Sequence, residues 1–120
     1  EAYTCTALQI HPNDSAFLAQ CNAGYITVFS QKSPYKLNKY KRFEGHCVSG
    51  YHIGMDISPD GSLIASGSSD GSLYVYDYRT SNIIKTFTLD SGPCMDVAWS
   101  PTVPCLLASC DWNGKIFLHR

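Results

Sequence analysis

His46, Ser66 and Asp70 are the residue types of a hydrolytic triad, in which an imidazole takes the proton of a hydroxyl nucleophile and a carboxylate orients the ring. A triad is defined by geometry and not by order along a chain. The same three types also suit a buried polar cluster whose members satisfy one another and touch no substrate. Cys105, Cys110, Asp111 and His119 are soft and borderline metal-ligand types within a short span. Zinc ligands come in closely spaced pairs, whereas a strand between these cysteines sets them about 15 Å apart, so no metal is expected. The sequence has no glycine-rich phosphate loop and no carboxylate pair in an acid–base setting, so no cofactor and no enzymatic activity are expected.

A second chemistry is electrostatic. Lys32, Lys36, Lys39, Lys41 and Arg42 hold five of the nine basic residues with no acid among them, interleaved with Tyr35 and Tyr40. Lys36, Lys39, Tyr40, Lys41 and Arg42 are therefore candidate RNA contacts, cations on the backbone and rings on the bases. The competing reading is edge protection, because lysines along an outer strand keep it from pairing with other chains. The formal net charge of −1 gives no wider pull toward nucleic acid or an anionic membrane and favours the second reading. Six cysteines without a Cys-x-x-Cys pair, most in or beside predicted strands, read as buried reduced thiols in an intracellular protein.

The elements that must position these residues follow from Gly45 to Asp77. Ser58-Pro59-Asp60-Gly61 and Ser69-Asp70-Gly71 are turn sequences, since Pro sets φ, Asp bonds its own backbone and Gly accepts positive φ. Between them lie short alternating runs, which makes an antiparallel meander. The pattern recurs with His11-Pro12 and Asn22-Ala23-Gly24 before it, and with Ser100-Pro101 and Trp112-Asn113-Gly114 after it. The prolines at 12, 59 and 101 are spaced 47 and 42 residues apart. Four strands at such a period indicate β-propeller blades.

The expected fold is therefore all-β: three four-stranded blades over residues 4–43, 46–89 and 93–120, the last lacking its outer strand. The expected strands include Leu37 to Phe43 as the outer strand of the first blade and Tyr51 to Ile57 as the inner strand of the second. No run approaches the ~18 apolar residues of a membrane-spanning helix, and no membrane partner is expected.

Gly45-His46, Ser58-Pro59-Asp60-Gly61, Ser66 to Gly71 and Tyr76-Asp77 together resemble a WD repeat, with tyrosine in the place of the tryptophan. The runs Lys36 to Tyr51 and Cys110 to Arg120 are similar, more narrowly, to the C-terminal blades of the spliceosomal pre-mRNA-processing factor seventeen family. The resemblance implies that the chain is the C-terminal part of a larger propeller of about seven blades, propellers in general having ~4–8. It implies a structural tetrad of His46, Ser66, Asp70 and Tyr76 in the central blade alone, and a non-catalytic scaffold for other proteins in a nuclear splicing assembly.

Propellers of this type resemble binding platforms built on the loops that lead into the inner strands and the loops between second and third strands. Here those loops carry Tyr3, Thr4, Tyr51, His52, Ile53, Pro93, Met95 and Trp112, several of them types that dominate interface energetics. An open array of three blades exposes an apolar face at each end. The isolated chain is thus expected to form a homo-oligomer in which copies cover one another, as two threes in a six-bladed ring.

Overall fold

The computed structural model describes residues 4–89 and 92–120. Eleven strands and no helix are found among them. They are β1 (Cys5–Ile10), β2 (Ala16–Cys21), β3 (Tyr25–Ser30), β4 (Leu37–Glu44), β5 (Met55–Ile57), β6 (Leu63–Ser66), β7 (Ser72–Asp77), β8 (Ile83–Thr88), β9 (Cys94–Trp99), β10 (Leu107–Asp111) and β11 (Ile116–His119). Three antiparallel sheets follow chain order: β1-β2-β3-β4, β5-β6-β7-β8 and β9-β10-β11. The third has three strands, as expected.

Each sheet has two apolar faces because side chains alternate along a strand. In β7, Tyr76 turns toward the first sheet while Leu73 and Val75 turn toward the third. The chain accordingly has two cores, one at each junction. Leu18, Ile26, Val28 and Phe43 meet Met55, Ile57, Ile64 and Tyr76 between the first two sheets. Ala65, Leu73, Val75 and Leu89 meet Cys94, Val97 and Leu107 between the second and third. At about 25 cal/mol per Å² of apolar surface removed from water, these junctions are the main source of stability.

Polar clasps set the alignment of the sheets. Buried His11, in the β1–β2 turn, has Nε2 2.9 Å from the Gly61 carbonyl, and its Nδ1 accepts the Asp14 amide at 2.9 Å. The ring therefore carries its proton on Nε2 and joins two turns of different sheets. Asn13 donates to the Asp60 carbonyl beside it at 2.9 Å. At the other junction the Asp56 carboxylate accepts the Trp99 amide at 2.8 Å, and the Trp99 indole donates to the Asp56 carbonyl at 3.2 Å.

One expected strand is shorter than its pattern. The inner strand of the second sheet begins at Met55, not Tyr51, because Ser49 and Gly50 have positive φ (48° and 83°) and the Gly54 amide bonds the Met95 carbonyl of the neighbouring sheet at 2.8 Å. Gly54 is shared between two sheets, since its carbonyl accepts the Gly67 amide at 3.1 Å while its amide serves the neighbouring sheet, and the regular ladder starts only after it.

Gly67 marks the closest backbone approach at this junction. A β-carbon there would lie 2.3 Å from the Cys94 carbonyl oxygen, which is main chain held in the Ser68–Cys94 bridge. Gly67→Ala is expected to destabilise the chain by about 2–3 kcal/mol through overpacking. Urea denaturation followed by dichroism measures this, and an unchanged midpoint would contradict the close approach.

Candidate functional site

His46 is buried between the first and second sheets, and both its nitrogens are used. Nε2 donates to Gln20 Oε1 at 2.6 Å, and the Gln20 amide nitrogen donates to Ser66 Oγ at 2.9 Å. Ser66 passes its own proton to the Gly67 carbonyl at 2.8 Å. On the other side, the Tyr76 hydroxyl lies 2.8 Å from His46 Nδ1 and 2.8 Å from the Glu44 carbonyl. The chain of contacts thus runs from Glu44 through Tyr76, His46, Gln20 and Ser66 to Gly67.

This arrangement corrects the expected tetrad in two respects. Gln20, from another blade, stands between His46 and Ser66. Asp70 accepts the Tyr74 hydroxyl at 2.7 Å, is exposed, and acts on His46 only through space. Burial works against the Asp70 carboxylate, but hydrogen bonds from Tyr74, Ser68 and the Ser72 amide outweigh it and hold its pKa below the usual range. The triad geometry is absent: Ser66 is inaccessible, its proton points at a carbonyl, and no hydrogen bond joins it to His46. The third sheet holds a reduced counterpart, Ser109 Oγ 2.8 Å from His119 Nε2, with the His119 ring packed on Phe87.

Antiparallel order brings the starts of β1, β5 and β9 and the β2–β3, β6–β7 and β10–β11 turns to one end of the sheets. Trp112 stands there, 62% exposed, on a turn stiffened by Asp111, whose Oδ1 accepts the amides of Asn113 and Lys115. The Trp112 amide bonds the Pro93 carbonyl at 2.9 Å. Half-buried Tyr51 meets the indole edge-to-face, with centroids 5.3 Å apart. Pro93 and Met95, at the start of the third sheet, are half-buried, while exposed His52 hydrogen-bonds the Thr6 carbonyl and exposed Thr4 lies at the head of the first sheet. Ile53 is fully buried and belongs to the core, which corrects its assignment to the partner surface. Tyr3 lies outside the described residues.

The basic run is divided between two faces of β4. Lys41 donates to the Arg79 carbonyl at 3.0 Å and lies 4.6 Å from the Tyr78 ring centroid. Burial lowers the Lys41 pKa against the opposing pull of Asp77 and Asp14. Arg42 stacks on Tyr25 at 3.7 Å and pairs with Glu44 at 3.4 Å. Lys36 and Lys39 are exposed, and Tyr40 is 98% exposed.

All six cysteines are free. Only Cys21 and Cys94 are buried; Cys5, Cys47 and Cys105 are exposed, contrary to the expectation of uniformly buried thiols. Among the described residues no three His, Cys, Asp or Glu side chains converge as metal ligands.

Antiparallel sheets packed face to face, with edge strands β1, β5 and β9 side by side, define a β-propeller fragment. The WD domain, G-beta repeat model matches residues 37–77 and 81–120, and the chain belongs to that family. WD repeat-containing protein 25 of Mus musculus is 38% identical over 116 residues, 97% of this chain and 22% of that protein. Pre-mRNA-processing factor 17 of Homo sapiens is 31% identical over 97% of the chain and 20% of its own length. The Saccharomyces cerevisiae protein of that name is 33% identical over 92% and 25%. The chain thus spans about a fifth to a quarter of these relatives. The crystal structure of RRP9 WD40 repeats superposes with a TM-score of 0.76 at 23% identity, covering 92% of this chain and 33% of that one.

Burial drives the pKa of His46 from 6.5 down to about 4, with Asp70 opposing. Below pH 6.5 the unfolded chain binds a proton that the folded chain refuses. The His46 contribution is therefore complete above pH 6.5 and is lost as pH falls toward about 4. Chemical denaturation across that interval is expected to record a loss of up to about 3 kcal/mol, smaller in His46→Gln. His46→Ala at pH 7 is expected to lower stability by about 2–4 kcal/mol, since it opens a cavity and strands Gln20 and Tyr76. Equal melting temperatures for variant and parent would show that the node does not stabilise the junction.

Proposed function

We propose that this chain is a non-catalytic scaffold that binds other proteins through the end of the sheets bearing Tyr51 and Trp112, within a nuclear pre-mRNA splicing assembly. The observation that carries the reading is the exposed Trp112 indole, held edge-to-face on Tyr51 across the second and third sheets. A large ring on a braced turn buries much area at little entropic cost, which is how interface anchors act. Similarity to Pre-mRNA-processing factor 17 supports the splicing setting and the nuclear location. Direct RNA contact through Lys36, Lys39, Tyr40, Lys41 and Arg42 is the lesser reading, supported by the bare ring of Tyr40 beside Lys39.

The outer faces of the first and third sheets carry Ile10 (71% exposed) and Ile116 (76%). Copies of this chain cover these faces when it stands alone. Light scattering of the purified chain is expected to give a discrete oligomer; a monomer with full β dichroism would contradict this. Capture from nuclear extract, read by quantitative mass spectrometry, is expected to enrich splicing proteins on the parent chain and to lose them on Trp112→Ala at unchanged thermal stability. Equal recovery by both chains, or no splicing proteins on either, would overturn the proposed function.

A further inference from the structure

A groove of about 540 Å³ runs between the first and second sheets at the end opposite Trp112. One wall carries Lys36, Leu37 and Lys41, and the other carries Tyr78 and Arg79. Residues 36 and 79 are remote in sequence, and the Lys41–Arg79 carbonyl hydrogen bond at 3.0 Å ties the walls together. We propose that this groove is a docking site for an acidic peptide segment of a partner protein. The inference rests on the scaffold reading and assigns a second surface to it.

Charge complementarity selects the occupant. Lys36 and Arg79 are exposed and form no ion pair among the described residues. The carboxylate that lines the groove, Asp14, accepts the Tyr78 hydroxyl at 2.7 Å and keeps its charge, which offsets one of the three lining cations and leaves Lys36 and Arg79 to face an occupant. A neutral or basic occupant would desolvate Lys36 and Arg79 without pairing them, whereas glutamates or aspartates pair with both. Leu37 is half-exposed on the wall and takes an apolar side chain between the carboxylates.

A nucleic acid would need a ring to stack on. Among the described residues two rings line the groove: Tyr78 is already covered by the Lys41 ammonium at 4.6 Å and the His11 ring at 4.2 Å, and Phe29 is already stacked on Phe17 at 5.2 Å. Tyr40 does not line the groove, and Arg42 is stacked on Tyr25.

The test is fluorescence polarisation of the full chain with a labelled oligoglutamate peptide interrupted by one leucine, set against the same peptide with glutamine for glutamate and against labelled oligouridine. The acidic peptide is expected to bind and the other two to bind at least tenfold more weakly. Lys36→Glu with Arg79→Glu is expected to weaken the acidic peptide at least tenfold, while Lys115→Glu, a charge reversal in the β10–β11 turn at the other end of the sheets, leaves it unchanged. Peptide binding indifferent to the double variant, tighter binding of oligouridine, or no peptide binding at low salt would each overturn the proposal. Trp112→Ala separates the two surfaces: it is expected to abolish capture of splicing proteins while peptide affinity stays the same. Loss of either readout alone therefore identifies which reading fails.

Discussion

A neutral imidazole in an apolar junction has two nitrogens and no water to serve them, and this constraint organises the first two sheets. His46 spends one nitrogen on Tyr76 of its own sheet and the other on Gln20 of its neighbour. Each link of that path, if left unmade, costs on the order of 1–3 kcal/mol. Apolar contacts between Phe43, Met55 and Tyr76 tolerate small displacements of one sheet along another; short hydrogen bonds do not. The node thereby converts a greasy contact into a defined alignment. His11 on Gly61 and Asn13 on Asp60 repeat the device at the far end of the same junction.

No sheet here has a core of its own. The second sheet is stabilised from both sides, while the first and third each present one covered and one open face. Stability is then a sum over junctions, as in other repeat architectures. The features proposed for binding sit where the junctions meet solvent. Trp112 and Tyr51 bridge the second junction at one end, and Lys41 and Tyr78 bridge the first at the other. Rigidity between blades supplies the preorganisation that a recognition surface needs.

Strand positions and the incomplete third sheet were legible because turn residues and two-residue alternation are local signals. Partners across a junction were not. Nothing near Gln20 marks it as the link between His46 and Ser66, 26 and 46 residues away, so Asp70, which the resemblance to the repeat implied, took its place in the expectation. His11 reads as part of a His-Pro turn and gives no local hint of Gly61. The apparent strand from Tyr51 fails at Gly54 for the same reason: its amide belongs to the next sheet. Ile53 alternates like a loop anchor yet is fully buried. Arg79 joins the basic run only in three dimensions.

The matched repeats begin at Leu37 and at Ser81, whereas the sheets begin at Cys5, Met55 and Cys94. The first matched repeat therefore contains β4 of one sheet and β5 to β7 of the next. The unit that is copied and the unit that folds are out of phase. A recombination event that inserted or removed one repeat would leave no blade whole by itself, yet would restore every sheet once neighbours closed up. The first matched repeat also carries the Phe43 side of a junction together with the His46 and Tyr76 side, so a copy of it would arrive already interlocked with the blade before it.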